Sequence, residues 1–254
     1  RLLCTLPEKE IRVGVAFLDT LLRSGTQRPA TPVLRTLGSL IGALPADSPL
    51  VDDCLGRRLA GVAHYHSAIH QNAPYILCHV VFGNDELPEA LRLRCFLRVN
   101  KKLLAILGEP TRGRLTFFNR AAMLNQLYRF LVRHEVEKGG FPFPAPKPVA
   151  FFPGTFDPFS SGHKSIVREI RARGYEVYLA IDEFSWSKRT LPRLLRRKIV
   201  QMSAADQWDT YVFPDDLPIN IAVGADLAHL RALFPDRPVF LVTGSDVIRN
   251  ASAY

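Results

Sequence analysis

A parallel-sheet α/β domain preceded by an all-α domain is the architecture that these 254 residues predict. Three observations carry it. Apolar residues of the first half recur at helical spacing, whereas from Val149 onward short β-rich runs alternate with helical stretches. Between the two stands a segment punctuated by proline. The expected organisation is a helical domain at 1–140, a linker at 141–148 and an α/β domain at 149–254.

In the first half, candidate helices run over about 8–23, 32–43, 52–70, 87–107 and 115–138. The fourth shows why. Leu87, Leu91, Leu93, Phe96, Leu97, Leu103, Leu104 and Leu107 supply an apolar side, and Arg92, Arg94, Arg98, Lys101 and Lys102 a wet one. Gly108 and Pro110 stop that helix, and Gly139-Gly140 stop the next, in which Tyr128 and Phe130 are expected in the core. No fixed repeat is present, so the domain is irregular rather than a solenoid. The linker Phe141-Pro142-Phe143-Pro144-Ala145-Pro146-Lys147-Pro148 favours extended backbone and forbids helix.

Beyond it, Val149-Ala150-Phe151-Phe152 reads as a strand ending at Pro153-Gly154, and 163–173 as a helix capped by Gly174. Strands follow at 176–181, 210–213 and 238–243. Helices follow at 192–205, with proline in the first turn, and at 225–234. Continuous apolar strands separated by helices indicate a parallel sheet covered on both faces. Such sheets take ligands at the carboxyl ends of their strands, where the strand order reverses.

Composition narrows the function classes. A hydrophobic fraction of 47% is that of a globular protein, and no apolar run reaches the ~18–20 residues of a membrane span. Residues 1–25 lack the order of a signal peptide, so a cytoplasmic location is expected; the chain opens on Arg1 rather than Met, as a piece of a longer polypeptide would. Of the net charge of +9, residues 1–148 carry +8 and residues 149–254 carry +1. The basic first half permits an acidic partner or RNA without demanding one. Cys4, Cys54, Cys78 and Cys95 include no C-x-x-C pair and read as ordinary reduced thiols.

The chemistry concentrates after the first strand, in Gly154-Thr155-Phe156-Asp157-Pro158-Phe159-Ser160-Ser161-Gly162-His163. A strand here runs into a turn of small residues that opens a helix at His163. Glycines let backbone approach a ligand closely, and the turn amides with the helix N-terminus favour anions. An imidazole at the helix start can lie beside a phosphate held there, and donors aimed at a phosphoryl group are the main catalytic device of its transfer.

This run resembles the G-T-F-D-P-x-[HT]-x-G-H signature of the nucleotidyltransferase superfamily. It is most similar to that of the nicotinate-nucleotide and pantetheine-phosphate adenylyltransferases, which implies a Rossmann-like nucleotidyltransferase domain. Thr243-Gly244-Ser245-Asp246, at the end of the fourth strand, is similar to the family's G-x-D, so Gly244 and Asp246 are expected to meet the nucleotide. Ser187-Lys188-Arg189 and the Arg193, Arg196, Arg197, Lys198 helix occupy a region where the family contacts phosphate. Lys188, and Arg197 three residues before Val200, are the best matches, and Trp186 lies near the substrate on this reading.

The resemblance implies attack by an acceptor oxygen on the α-phosphorus of ATP, with Mg2+ bridging phosphate oxygens and pyrophosphate leaving. His163 would stabilise the transition state, Ser160 would hydrogen-bond a phosphate, and Gly154, Thr155, Phe156 and Gly162 would offer backbone. Two departures matter. Ser160 stands where nicotinate-type members carry His, which favours a pantetheine-phosphate or cytidylyl member. The family's I-S-x-T-x-x-R segment has no counterpart before Tyr254, which leaves a shortened enzyme or a non-catalytic nucleotide-binding module as readings. His64, His66, His70 and His79 lack an acidic ligand at helical spacing and read as core or surface histidines. Asp182-Glu183 reads as a solvated turn.

Overall fold

A computed structural model describes residues 40, 42–53, 76–108, 114–182, 190–204 and 207–245. The expected helix at 8–23, and most of those at 32–43 and 52–70, lie outside them. The chain divides into two compact units, Arg1–Phe143 and Pro144–Tyr254, so the break falls inside the proline-punctuated segment.

Among its described residues the first unit is helical, with α1 at Glu89–Gly108 and α2 at Arg114–Lys138. A π-helix at Ile76–Phe82, which no periodicity announced, precedes them. Phe82, Phe96 and Phe130 form its aromatic centre, with ring centroids 5.4–6.0 Å apart. Two expectations are corrected here. Arg92, placed on the wet side, is only 8% exposed: its guanidinium donates to Asp85 at 2.9 Å and lies 5.7 Å from the Phe130 ring centre. A long side chain can bury its stem where its charge finds a carboxylate and a ring face. Tyr128, placed in the core, is 64% exposed. It stands two residues from buried Phe130, roughly 200° around the helix, so the two cannot share a face. No described helix is long and apolar enough to cross a membrane.

The second unit is a Rossmann-like α/β domain with a four-stranded parallel sheet. The strands are β1 (Val149–Gly154), β2 (Glu176–Ile181), β3 (Thr210–Val212) and β4 (Val239–Leu241), in the order β3-β2-β1-β4. Helices α3 (Ser161–Ala172), α4 (Arg193–Ala204) and α5 (Gly224–Ala232) connect them. Alternation along β1 divides the core. Ala150 and Phe152 pack with Val167 of α3 and with Val200 and Ala204 of α4, while Phe151 packs with Phe213 and with Leu230 of α5. Both faces are thus covered, as parallel sheets require.

The first strand is two residues longer than expected, because Pro153 is tolerated within it. Phe151 accepts from Val242 on the β4 side, and the register with β4 ends there. Two residues on, the missing N–H of Pro153 faces that same side, where no ladder remains to be broken. On the other side, Gly154 still accepts from the Asp182 N–H at 3.1 Å. The helix that follows starts at Ser161 rather than His163. The strand order reverses at β1, so the carboxyl ends of β1 and β4 form the switch point.

Candidate functional site

The switch-point corner is built from the turn after β1. Gly154 is tightly enclosed: a Cβ there would lie 3.0 Å from the ring of Phe156, which would have to give by a few tenths of an ångström. Phe156 is buried (2%) and has left-handed backbone at φ 46°. A bulky residue adopts this only where surrounding packing over-determines it, at a cost of ~1–3 kcal/mol. The Asp157–Pro158 peptide is cis. Asp157 then accepts the Leu191 N–H at 2.8 Å, joining the turn to the approach of α4.

Ser160 is the N-cap of α3, with extended backbone. His163 is the third helical residue, where a capping box commonly places Glu or Gln. Its Nδ1 takes that role, accepting the Ser160 backbone N–H at 3.0 Å, with the Ser160 Oγ 2.9 Å away. A backbone N–H can only donate. Nδ1 therefore offers its lone pair, and the proton of the neutral ring sits on Nε2. Three rings seat the imidazole: Phe159 stacked at 5.5 Å, Phe156 edge-on at 5.3 Å and Phe152 at 6.4 Å. Partial burial lowers the His163 pKa from its ordinary 6.5, since the cation loses solvent. The corner thus presents an Nε2–H donor together with the first amides of a 12-residue helix. Gly162 is exposed there, and a Cβ on it would make only ordinary contact with Ser160 Oγ at 3.5 Å. Packing within the protein does not demand glycine at that position.

Gly154, Thr155, Phe156, Ser160, Gly162 and His163 therefore come together at one corner. Gly244 lies just past β4, the strand paired with β1. Asp246, Lys188 and Trp186 lie outside the described residues, as do Glu183, His64, His66 and His70. At the end of β2, loss of solvent around the Asp182 carboxyl raises it above the ordinary range against the pull of Arg196 and Arg193. His79, half-buried in the π-helix, has its pKa lowered by burial.

Arg197 is directed elsewhere. It donates to the Phe213 carbonyl at 2.9 Å and pairs with Asp215 at 2.9 Å, beyond β3. Its neighbour Arg196 faces the turn instead. At 1% exposure it is among the largest fully buried side chains described. Its Nε donates to the Leu191 carbonyl (2.9 Å), its Nη1 to Thr155 (2.6 Å) and its Nη2 to Asp182 (2.9 Å). A signal for this was present: Arg196, Val200 and Ala204 stand at i, i+4 and i+8, and they are the buried residues of α4.

Residues 151–254 match the model of the cytidylyltransferase-like family, within the nucleotidyltransferase superfamily, and the match spans the α/β unit from within β1. No curated protein and no solved structure matches the chain.

Proposed function

We propose that the α/β unit transfers an adenylyl group from Mg2+–ATP to a phosphorylated acceptor such as nicotinate mononucleotide. An acceptor oxygen bonds to the α-phosphorus, the bond from that phosphorus to the bridging oxygen breaks, and pyrophosphate leaves with the electron pair. The observation that supports this reading is the seat of His163: its Nδ1 accepts the Ser160 N–H at the third position of α3, which leaves the Nε2–H to donate elsewhere. That donor and the amides of the α3 N-terminus suit negative charge growing on phosphate oxygens, and being preorganised they need no rearrangement as the reaction proceeds. No covalent intermediate is needed, because positioning and neutralisation supply most of the catalysis. Magnesium bound with the nucleotide would supply neutralisation of phosphate charge, without a carboxylate cage from the protein. Lys188, Asp246 and Trp186 are the further candidates for phosphate, base and acceptor. The unit is placed in the cytoplasm on this reading, and an acidic partner or RNA remains a proposal for the basic first half.

Two observations favour a second reading, a pantetheine-phosphate adenylyl- or cytidylyltransferase. Ser160 provides a hydroxyl where nicotinate-type members have His, and the matching family model is described as cytidylyltransferase-like. The test is pyrophosphate release with ATP or CTP against a panel of phosphorylated acceptors. Release with ATP and nicotinate mononucleotide supports the first reading. Release only with CTP, or only with a phosphopantetheine acceptor, moves the assignment to the second. Nucleotide binding without release from any pair makes the unit a non-catalytic binding module.

A further inference from the structure

We propose that Arg196 is a positioning residue: by holding the Thr155 carbonyl it turns the Phe156 N–H toward the ligand, as a donor to a phosphate oxygen. The inference rests on the nucleotidyl-transfer reading of this corner and names how its backbone donor is set.

The argument begins with the peptide plane. The Thr155–Phe156 bond is trans, so its C=O and N–H point in opposite directions. The carbonyl points at the buried Arg196 Nη1, 2.6 Å away, and the N–H consequently points away from the guanidinium. Among the described residues no acceptor takes that N–H. Phe156 is also the turn residue with left-handed backbone. An orientation that costs energy locally needs a partner that fixes it, and a charged donor to a backbone carbonyl is stronger than a neutral one.

The other two bonds of Arg196 explain why arginine is used. They reach the carbonyls of Asp182 and Leu191, one at the end of β2 and one on the approach to α4. A single planar group thereby ties the β1 turn to both of these backbone segments. Lysine could keep the charge but could not hold all three directions at once.

The experiment compares the full chain with its Arg196→Lys variant. In the unliganded proteins, R196K should displace the NMR signals of the Thr155 carbonyl and Phe156 amide. In the wild type, Mg2+–ATP or pyrophosphate should move the Phe156 amide together with those of residues 161–163. Turnover by R196K should fall ~10–100-fold with KM little changed, as expected when a preorganised donor is misaimed. An R196K protein that melts lower yet keeps its kcat per folded molecule would reduce Arg196 to a structural tie. Shifts at residues 161–163 without one at Phe156 overturn the proposal in the wild type alone, even if R196K does not fold. Signals that respond to neither ligand anywhere in the unit would defeat the nucleotide reading and the donor role with it. The Arg196–Thr155 orientation is then judged by the unliganded comparison, and a Phe156 amide unmoved by R196K overturns it.

Discussion

Two arginines stand at opposite ends of the same sheet, Arg196 buried and Arg237 half-buried. At the amino ends, Arg237 donates to Glu176 at 2.7 Å and lies 3.4 Å from the Tyr178 hydroxyl, which itself donates to Glu176 at 3.1 Å. Its guanidinium covers Phe234 at 4.9 Å, and burial beside the Glu176 charge pushes the Tyr178 phenol up to about 12. This is a clamp made mainly of side chains, with one long bond from Arg237 to the Lys147 carbonyl at 3.4 Å. At the carboxyl ends, Arg196 bonds three backbone carbonyls, and what it holds is the course of the main chain. The lesson is that burying an arginine does not define its task. A carboxylate partner makes a strut, whereas carbonyl partners make a template for the amides on the other side of each peptide.

The sharpest way to break this comparison is Arg237→Ala. It leaves the Glu176 carboxylate buried without its cation and should cost about 3–5 kcal/mol of stability, with turnover per folded molecule unchanged. Denaturant unfolding beside single-turnover rates checks both halves. A turnover loss matching the stability loss would erase the distinction between the two ends. Next comes His163→Ala, which should lower turnover at least ~100-fold, about 2.7 kcal/mol of barrier. Because Nδ1 also caps α3, the same change should remove ~0.5–2 kcal/mol of stability. Unchanged pyrophosphate release would take His163 out of the mechanism.

Gly154→Ala sharpens the account of the turn. The added methyl meets the Phe156 ring at 3.0 Å and should cost ~1–3 kcal/mol while lowering turnover, read by melting and steady-state rates. Full activity in G154A would show that the ring can shift freely. The smallest effect concerns pH. The folded-state pKa of His163 is depressed, so as pH falls the unfolded chain takes up a proton first. Its contribution to stability is intact above about 6.5 and is lost as pH falls through the folded value. The slope of melting temperature against pH below 6.5 should therefore flatten in the His163→Ala variant, and identical slopes would contradict the assignment.

How far the sequence foretold this structure depends on which force shaped each element. Strand β2 was legible to the residue, and β1, β3 and β4 to within two residues or so, because continuous apolar runs in a two-sided sheet admit little else. The extra residues of β1 escaped notice, since proline ends most strands and only the neighbouring ladder shows that this one is harmless. The corner itself was legible through glycine and the helix start, but the pairing of Ser160 with His163 was not. A helix beginning at Ser161 rather than His163 moves the imidazole from the tip to the third position, and that makes it a cap. Arg197 was preferred to Arg196 because its spacing before Val200 matched the family's helix arginine. The stripe through Val200 and Ala204 carried the correct face, and propensity arguments alone do not place a cation on it. Tyr128 is the converse error, an aromatic ring read as core on the wrong side of α2.

The rings around His163 have a consequence beyond seating it. Phe159 lies nearly parallel to the imidazole, 14° between planes and 5.5 Å between centroids, so its ring current contributes to the resonances of the His163 protons. The two carbon-bound protons of the histidine should resonate away from ordinary positions, and they supply a built-in gauge of the corner. Any rearrangement by which Phe159 swings aside to admit a guest would register there as a return toward ordinary frequencies, without a label being introduced.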